Sequence, residues 1–188
     1  LPNGTPREPT QPMIIGSAFD LLISEPETFD KKFFSMPEGM IRKGKAWDEL
    51  AAANPGKDSL NFREFEMINE MRDSLMRQSI GRALFEKGSF QQSFFWDDEL
   101  TGELCKCRPD FWTTDDVIVD LKTATSAEFK DFQKSSVDYN YHISAALTLD
   151  GMTQVLGRPA GPYLFCVIEK DPPYAAAVFE AMPSMIDL

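Results

Sequence analysis

The sequence predicts one α/β domain, and three observations carry that prediction. The chain has 188 residues, enough to bury one hydrophobic core and too few for two ordinary domains. From Phe62 onward, Phe65, Ile68, Met71 and Leu75 recur at helical spacing among charged residues, the pattern of an amphipathic helix. Val117-Ile118-Val119 and the run Tyr163 to Glu169 are short, apolar and rich in β-branched or aromatic residues, and such runs read as buried strands.

In chain order, Leu1 to Pro12 holds four prolines with Gly, Asn and Thr, a composition that reads as a flexible arm and leaves residues 13–188 as the domain. Met13 to Ser24 reads as a helix closed by Glu25-Pro26-Glu27, because proline disfavours continuation. Asp20 sits on this otherwise apolar helix, either at a solvent edge or aimed at something positive. Thr28 to Met40 is irregular, with Phe33-Phe34 ahead of a Pro-Glu-Gly turn. Ala46 to Ala53 is a short helix ended by Asn54-Pro55-Gly56. Ser59-Leu60-Asn61 leads into the amphipathic helix, where Met67, Met71 and Met76 read as packing residues. A second short helix, Ser79 to Glu86, stops at Lys87-Gly88.

Phe90 to Phe95 opens the sheet, Trp96 to Gly102 turns the chain, and Leu104 to Phe111 returns it. With Val117 to Lys122 this predicts a three-stranded antiparallel meander. Ser126 to Ser135 reads as a polar helix or loop and Tyr141 to Leu149 as a helix with an alanine-rich face. Tyr163 to Glu169 and Tyr174 to Glu180 supply further strands.

The charge is unfavourable for a protein that coats nucleic acid. The chain is formally −11 at neutral pH, whereas general DNA affinity comes from cations that neutralise phosphates. A local basic lining could still hold DNA, with Arg72, Arg77, Arg82, Arg108, Lys122, Lys130 and Lys134 as its candidates; most of these read as ordinary solvated helix charges. Cys105, Cys107 and Cys166 are an odd number without zinc-site spacing, and read as reduced strand residues of a cytoplasmic protein. No signal peptide or long apolar span is visible, so no membrane partner is expected.

The residues that carry chemistry lie between Arg108 and Thr123. Pro109-Asp110 is followed, after a polar turn at Thr113 to Asp116, by the apolar run that ends in Asp120-Leu121-Lys122. Side chains alternate along a strand, so Asp120 and Lys122 share a face and Leu121 takes the other. A hairpin would bring Asp110 to the same bend. Two carboxylates and an ammonium are what metal-assisted phosphodiester hydrolysis asks for: oxygen ligands for a hard cation such as Mg2+, and a lysine to orient water and offset developing charge. The plain alternative is a surface hairpin with an ordinary salt bridge.

Asp110 followed by Asp120-Leu121-Lys122 resembles the PD-(D/E)XK nuclease signature. The wider order, Phe95-Trp96-Asp97-Asp98, Thr101-Gly102, Cys105 to Asp110, Asp120 to Thr123, Asp138 to His142 and Asp150-Gly151, resembles the RecE (exodeoxyribonuclease VIII) type of phage and prophage exonuclease. Ile15 to Leu22 with Glu25-Pro26-Glu27 is similar to an upstream Gly-x-Ala-x-His and Glu-Pro block of that family. The resemblance implies a restriction-endonuclease-like core, a central mixed β-sheet flanked by helices. It also implies a helix beyond the last strand, for which the sequence to Leu188 leaves little length.

For the site, the resemblance implies that Asp110, Asp120 and the carbonyl of Leu121 bind Mg2+, with Mn2+ as a substitute, and that Lys122 handles the water. Gln91, Arg108, Thr123, Tyr141 and His142 fall at positions suited to substrate or supporting contacts. Four positions depart from the family: Asp20 stands for its histidine, Gln91 for its glutamate, and Ser144 and Thr148 for a glutamine and a tyrosine. The implied function is 5′→3′ digestion of linear double-stranded DNA from its ends, leaving 3′ single-stranded tails for a single-strand annealing partner. Ring-shaped homo-oligomers, trimer or tetramer, are implied with it. A catalytically weakened DNA-end-binding relative, or a related endonuclease, is the competing reading. If Asp20 completes the metal shell, Asp20→Ala should raise the Mg2+ needed for half-maximal activity. Asp20→His should retain activity and shift preference toward Mn2+, since imidazole suits transition metals better than Mg2+. A metal titration of both variants reads this out.

Overall fold

The structure is a computed structural model and describes residues 8–182. The chain divides into two compact units, Leu1–Arg72 and Asp73–Leu188. Of the arm expected over 1–12, residues 1–7 lie outside the described residues, and 8–10 form no regular element. Gln11 and Pro12 instead open the first helix, α1 (Gln11–Ser24). A first-turn proline fits there because its missing N–H has no helical acceptor to lose. The helix expected beyond the last strand lies outside the described residues, which end at 182.

The N-terminal unit continues with a short 3-10 turn, α2 (Phe29–Lys32), β1 (Phe33–Ser35), α3 (Lys45–Ala53) and β2 (Asp58–Leu60). β1 and β2 pair in parallel, Phe33 opposite Asp58. The irregular stretch expected from Thr28 to Met40 is therefore partly regular, and Ser59-Leu60 is a strand rather than a lead-in. These strands are three residues long, too short to show a period. Phe29 meets Phe33 and Phe65 with ring centroids 5.2 and 6.0 Å apart. The helix that follows, α4 (Phe62–Arg77), starts with a reciprocal cap. Glu64 N–H donates to Asn61 Oδ1 at 2.9 Å and Asn61 N–H to Glu64 Oε2 at 2.7 Å, which satisfies two backbone donors at the helix start.

The C-terminal unit is built on a five-stranded mixed sheet. Its elements are α5 (Ser79–Phe85), β3 (Gly88–Phe90), β4 (Phe94–Asp97), β5 (Leu104–Cys107), β6 (Phe111–Thr113), β7 (Ile118–Ala124), α6 (Phe129–Asp138), α7 (Tyr141–Leu156), β8 (Tyr163–Glu169) and β9 (Ala176–Glu180). The sheet order is β3-β6-β7-β8-β9, with only β7 and β8 parallel, and β4 with β5 forms a separate two-stranded hairpin. A parallel neighbour needs a long crossover, and α6 with α7 supplies it. The three-stranded meander predicted over 90–122 is thus five strands in two sheets. The breaks have local causes: Gln91 takes a left-handed φ of 51°, and Pro109 has no N–H for a ladder.

Alternation on the sheet sets its faces. Ile118, Tyr163, Phe165 and Val167 lie in the main apolar cluster with Phe132 of α6 and Ala145 and Met152 of α7. Phe132 stacks on Phe179 at 4.9 Å and packs on Phe165 at 5.3 Å. At the hairpin between β6 and β7, Asp116 accepts from Trp112 Nε1 at 2.9 Å and pairs with Arg158. The Arg158 guanidinium, ahead of the Trp112 bond, holds the Asp116 carboxyl below the usual carboxylate range.

Gly151 is where α7 meets the β4–β5 hairpin. A Cβ there would lie 2.3 Å from the Trp96 ring. Alanine in place of a helical glycine is favoured by about 0.5–1 kcal/mol, whereas overpacking against a rigid ring costs about 1–3 kcal/mol. Overpacking wins, so Gly151→Ala should lower the urea midpoint and cost about 1–2 kcal/mol in an unfolding titration.

Candidate active site

The site is assembled by the register of β6 against β7. Phe111 opposes Val119 and Trp112 opposes Ile118. Continued along the chain, this register sets Asp110 opposite Asp120 and Pro109 opposite Leu121. Residues directly opposed on antiparallel strands share a face, so the two carboxylates are neighbours.

The backbone is arranged with equal economy. Ile118 N–H donates to Pro162 O and Ala124 O accepts from Lys170 N–H, so even-numbered residues of β7 turn their peptide groups toward β8. The odd-numbered Leu121 turns its N–H and C=O to the opposite edge. There the Leu121 N–H donates to Asp110 Oδ2 at 2.7 Å. Pro109 has no N–H to offer the Leu121 carbonyl. The edge therefore presents a carbonyl oxygen beside two carboxylates.

Lys122 Nζ pairs with Asp120 Oδ2, both side chains mostly buried. The same ammonium lies 4.9 Å from the centroid of the Tyr141 ring, a favourable cation–π geometry. Burial pushes the Tyr141 phenol up, against the pull of Lys122. Tyr163, at the start of β8, is buried against both carboxylates and hydrogen-bonded to Asp120. Burial first, and then the negative charges of Asp120 and Asp110, raise its phenol far above the usual range. It stays a neutral partner for Asp120 at any working pH.

This donor set fits a hard divalent cation. Two opposed like charges are destabilising on a sheet, and one ammonium offsets only one of them. Oxygen donors of this kind suit Mg2+ or Mn2+. Among the described residues no group of three His, Cys, Asp or Glu side chains is gathered as a metal centre, so the fit rests on the Asp110, Asp120 and Leu121 oxygens.

The remaining expected residues fall in different places. Gln91 N–H donates to Asp110 O at 3.0 Å and its Nε2 to Asp110 Oδ1 at 3.2 Å. Its amide therefore supports Asp110 through nitrogen, a supporting contact of the kind its position suggested. Tyr141 is at the site. His142 Nδ1 contacts Ser136 O at 3.3 Å, which ties α7 to α6. Thr123 is half-buried beside Lys122, and Arg108 is exposed. Asp20 lies half-buried on α1 of the N-terminal unit and is engaged by a partner. Among the expected basic residues, Arg77, Arg82, Lys130 and Lys134 are exposed, and Arg72 is half-buried and engaged. Ser144 is exposed and Thr148 buried on α7. The three cysteines are free, with burial pushing Cys166 up to about 12.

Sequence reasoning missed Tyr163 as part of the site. It reads as the first residue of an apolar strand, and only the parallel register, Ile118 opposite Tyr163, brings it beside the carboxylates.

A family model described as "PDDEXK-like domain of unknown function (DUF3799)" matches residues 2–188. No curated protein matches the chain. Among solved structures, a Eubacterium rectale protein provisionally named an exonuclease superposes with a TM-score of 0.66 at 17% identity, over 97% of this chain and 63% of that one. The chain thus spans less than two thirds of that protein's length. A second, SSO0001, covers 95% of this chain and 82% of its own at 11% identity, with a TM-score of 0.39, too low to bear on the argument. No described helix is long and apolar enough to cross a membrane.

Asp110 has two separable duties, and stability measurements divide them. Asp110→Ala leaves the Leu121 N–H without its acceptor and should cost about 1–3 kcal/mol. Asp110→Asn can keep an oxygen on that N–H, lets the Gln91 amide turn its own oxygen toward the new Nδ2, and removes the repulsion with Asp120, so its urea midpoint in metal-free buffer should stay near the parent's.

Proposed function

We propose that this chain, which belongs to the PDDEXK-like domain family, is a metal-dependent exonuclease acting on the ends of linear double-stranded DNA. The observation that carries the reading is the Asp120–Lys122 pair on one face of β7, with Asp110 tied to the backbone between them. The name of the Eubacterium rectale protein, matched at 17% identity, points the same way. The finer reading, 5′→3′ polarity and 3′ tails passed to a single-strand annealing protein, follows from the resemblance of about Ile14 to Gly151 to RecE-type exonucleases. So does the ring-shaped homo-oligomer, which would let an acidic chain hold duplex by enclosure.

Asp110, Asp120 and the Leu121 carbonyl would hold the cation. A divalent ion bound by these oxygens would polarise the phosphate and lower the pKa of water. Lys122, drawn toward Asp120 and braced by the Tyr141 ring, holds a proton-rich ammonium where the attacking water and the scissile phosphate meet. It orients that water and offsets the charge that builds on the phosphate oxygens. The neutral Tyr163 phenol keeps Asp120 oriented.

Linear duplex should be degraded only with Mg2+ or Mn2+ present, and a covalently closed circle should survive. Asp120→Ala and Lys122→Ala should each reduce digestion by about 100-fold or more, read with end-labelled duplex. Full digestion by Lys122→Ala would remove the lysine from the mechanism. DNA-end binding without digestion by the parent would favour the weakened-relative reading. Light scattering on a sizing column should give three or four chains per particle. A monomer that still digests processively would refute the ring.

A further inference from the structure

We propose that the cavity at the C-terminal ends of the parallel strands β7 and β8 receives a backbone phosphate of the substrate strand neighbouring the one that is cut. Lys170 is its cation, and the exposed Tyr139 ring is the platform for the attached base. This rests on the nuclease reading and names how that site grips its strand.

The cavity has a volume of about 130 Å3; its polar lining comes from Lys122, Thr123, Thr125, Ser135 and Lys170 with the Tyr139 and Tyr141 rings, and Ala124 and Phe132 add apolar wall. At about 30 Å3 per water, it holds about four water-sized groups. That is room for the four oxygens of a phosphate. Its wall carries hydroxyl donors from Thr123, Thr125 and Ser135, and two ammonium groups. Lys122 is shared with Asp120, so it joins this cavity to the hydrolytic carboxylates. Lys170 is half-buried and has no ion pair among the described residues. Its backbone N–H is tied to Ala124 O at 2.9 Å, which fixes the root of the side chain at the end of the sheet.

An aromatic column leads out of the cavity. Lys122 Nζ sits 4.9 Å over Tyr141, and Tyr141 stacks on Tyr139 at 5.7 Å with planes 24° apart. Tyr139 is 69% exposed, an unusual position for a ring already held parallel to another. A parallel, solvent-facing ring beside a phosphate-sized cationic pocket suits a single-stranded nucleotide, because base–aromatic stacking tolerates any sequence. In a chain of net charge −11, such local cations are where phosphate binding has to be concentrated.

The test is binding of fluorescein-labelled single-stranded dT8 to the full chain in metal-free buffer, read by anisotropy across a salt series. Lys170→Met should bind about 10-fold more weakly, and the slope of log K against log salt should flatten by about 0.7, the share of one phosphate contact. Lys170→Arg should restore both. Tyr139→Ala should weaken binding about 5- to 100-fold, with Tyr139→Phe near the parent. In digestion, Lys170→Met should act mainly through KM, as a contact made equally in ground and transition states does. Inorganic phosphate should compete only weakly; equal competition by phosphate and dT8 would overturn the strand assignment. A Lys170→Met protein with the parent's affinity and salt slope, while the parent still digests duplex, overturns the subsite and leaves the nuclease reading standing. Loss of dT8 binding in the variants of a parent that never digests supports the subsite and sinks the nuclease reading. A parent that does not bind dT8 overturns the subsite.

Discussion

The antiparallel ladder between β6 and β7 ends because Pro109 cannot donate to Leu121, and the candidate site depends on that ending. In an uninterrupted ladder, the residue opposite Leu121 would exchange both backbone bonds with it. Here the Leu121 N–H is taken by the Asp110 carboxylate at 2.7 Å, and the carbonyl keeps an open edge. One missing N–H thus moves a carboxylate onto the backbone, leaves a carbonyl oxygen beside it, and sets two acids opposite each other. A buried N–H without an acceptor would cost about 1–3 kcal/mol, so the carboxylate is held in place by a penalty as well as by a bond.

The hairpin half of this was legible in the sequence. Val117-Ile118-Val119 reads as a strand, Thr113 to Asp116 as its turn, and counting back from Asp120 across that turn reaches Asp110. Period-two alternation then places Lys122 beside Asp120, as the ion pair bears out. What lay beyond reach was everything set by distant pairing. β8 inserts parallel to β7 after a crossover of two helices, and no local pattern announces that Tyr163 will land beside Asp120. The split of the expected meander likewise turns on Pro109 and on Gln91 in the left-handed region, a conformation a non-glycine residue adopts only when its surroundings hold it there.

The same long-range geometry separates useful cations from ornamental ones. Seven basic residues could be nominated from the sequence, yet on α6 both Lys130 and Lys134 face solvent, where a charge is screened and contributes little. Lys122 differs because it lies between a carboxylate and an aromatic face, partly removed from water. Lys170 escaped the nomination altogether: it follows an apolar strand and precedes a turn, with no periodicity to mark it. Its position matters only because the parallel register brings Ala124 and Lys170 together.

Charge balance in the C-terminal unit shows what the glutamine at Gln91 changes. The amide donates to Asp110 Oδ1, so it stabilises a carboxylate instead of adding a third one beside it. With the Asp110 and Asp120 carboxylates, the Lys122 ammonium and a divalent cation, the site alone would carry a net positive charge before substrate arrives. A glutamate in that place would cancel it and hold the cation more tightly. The arrangement therefore trades affinity for the ion against attraction for phosphate. That trade is physically sensible in a chain whose acidic surface otherwise repels the strand it would have to draw in.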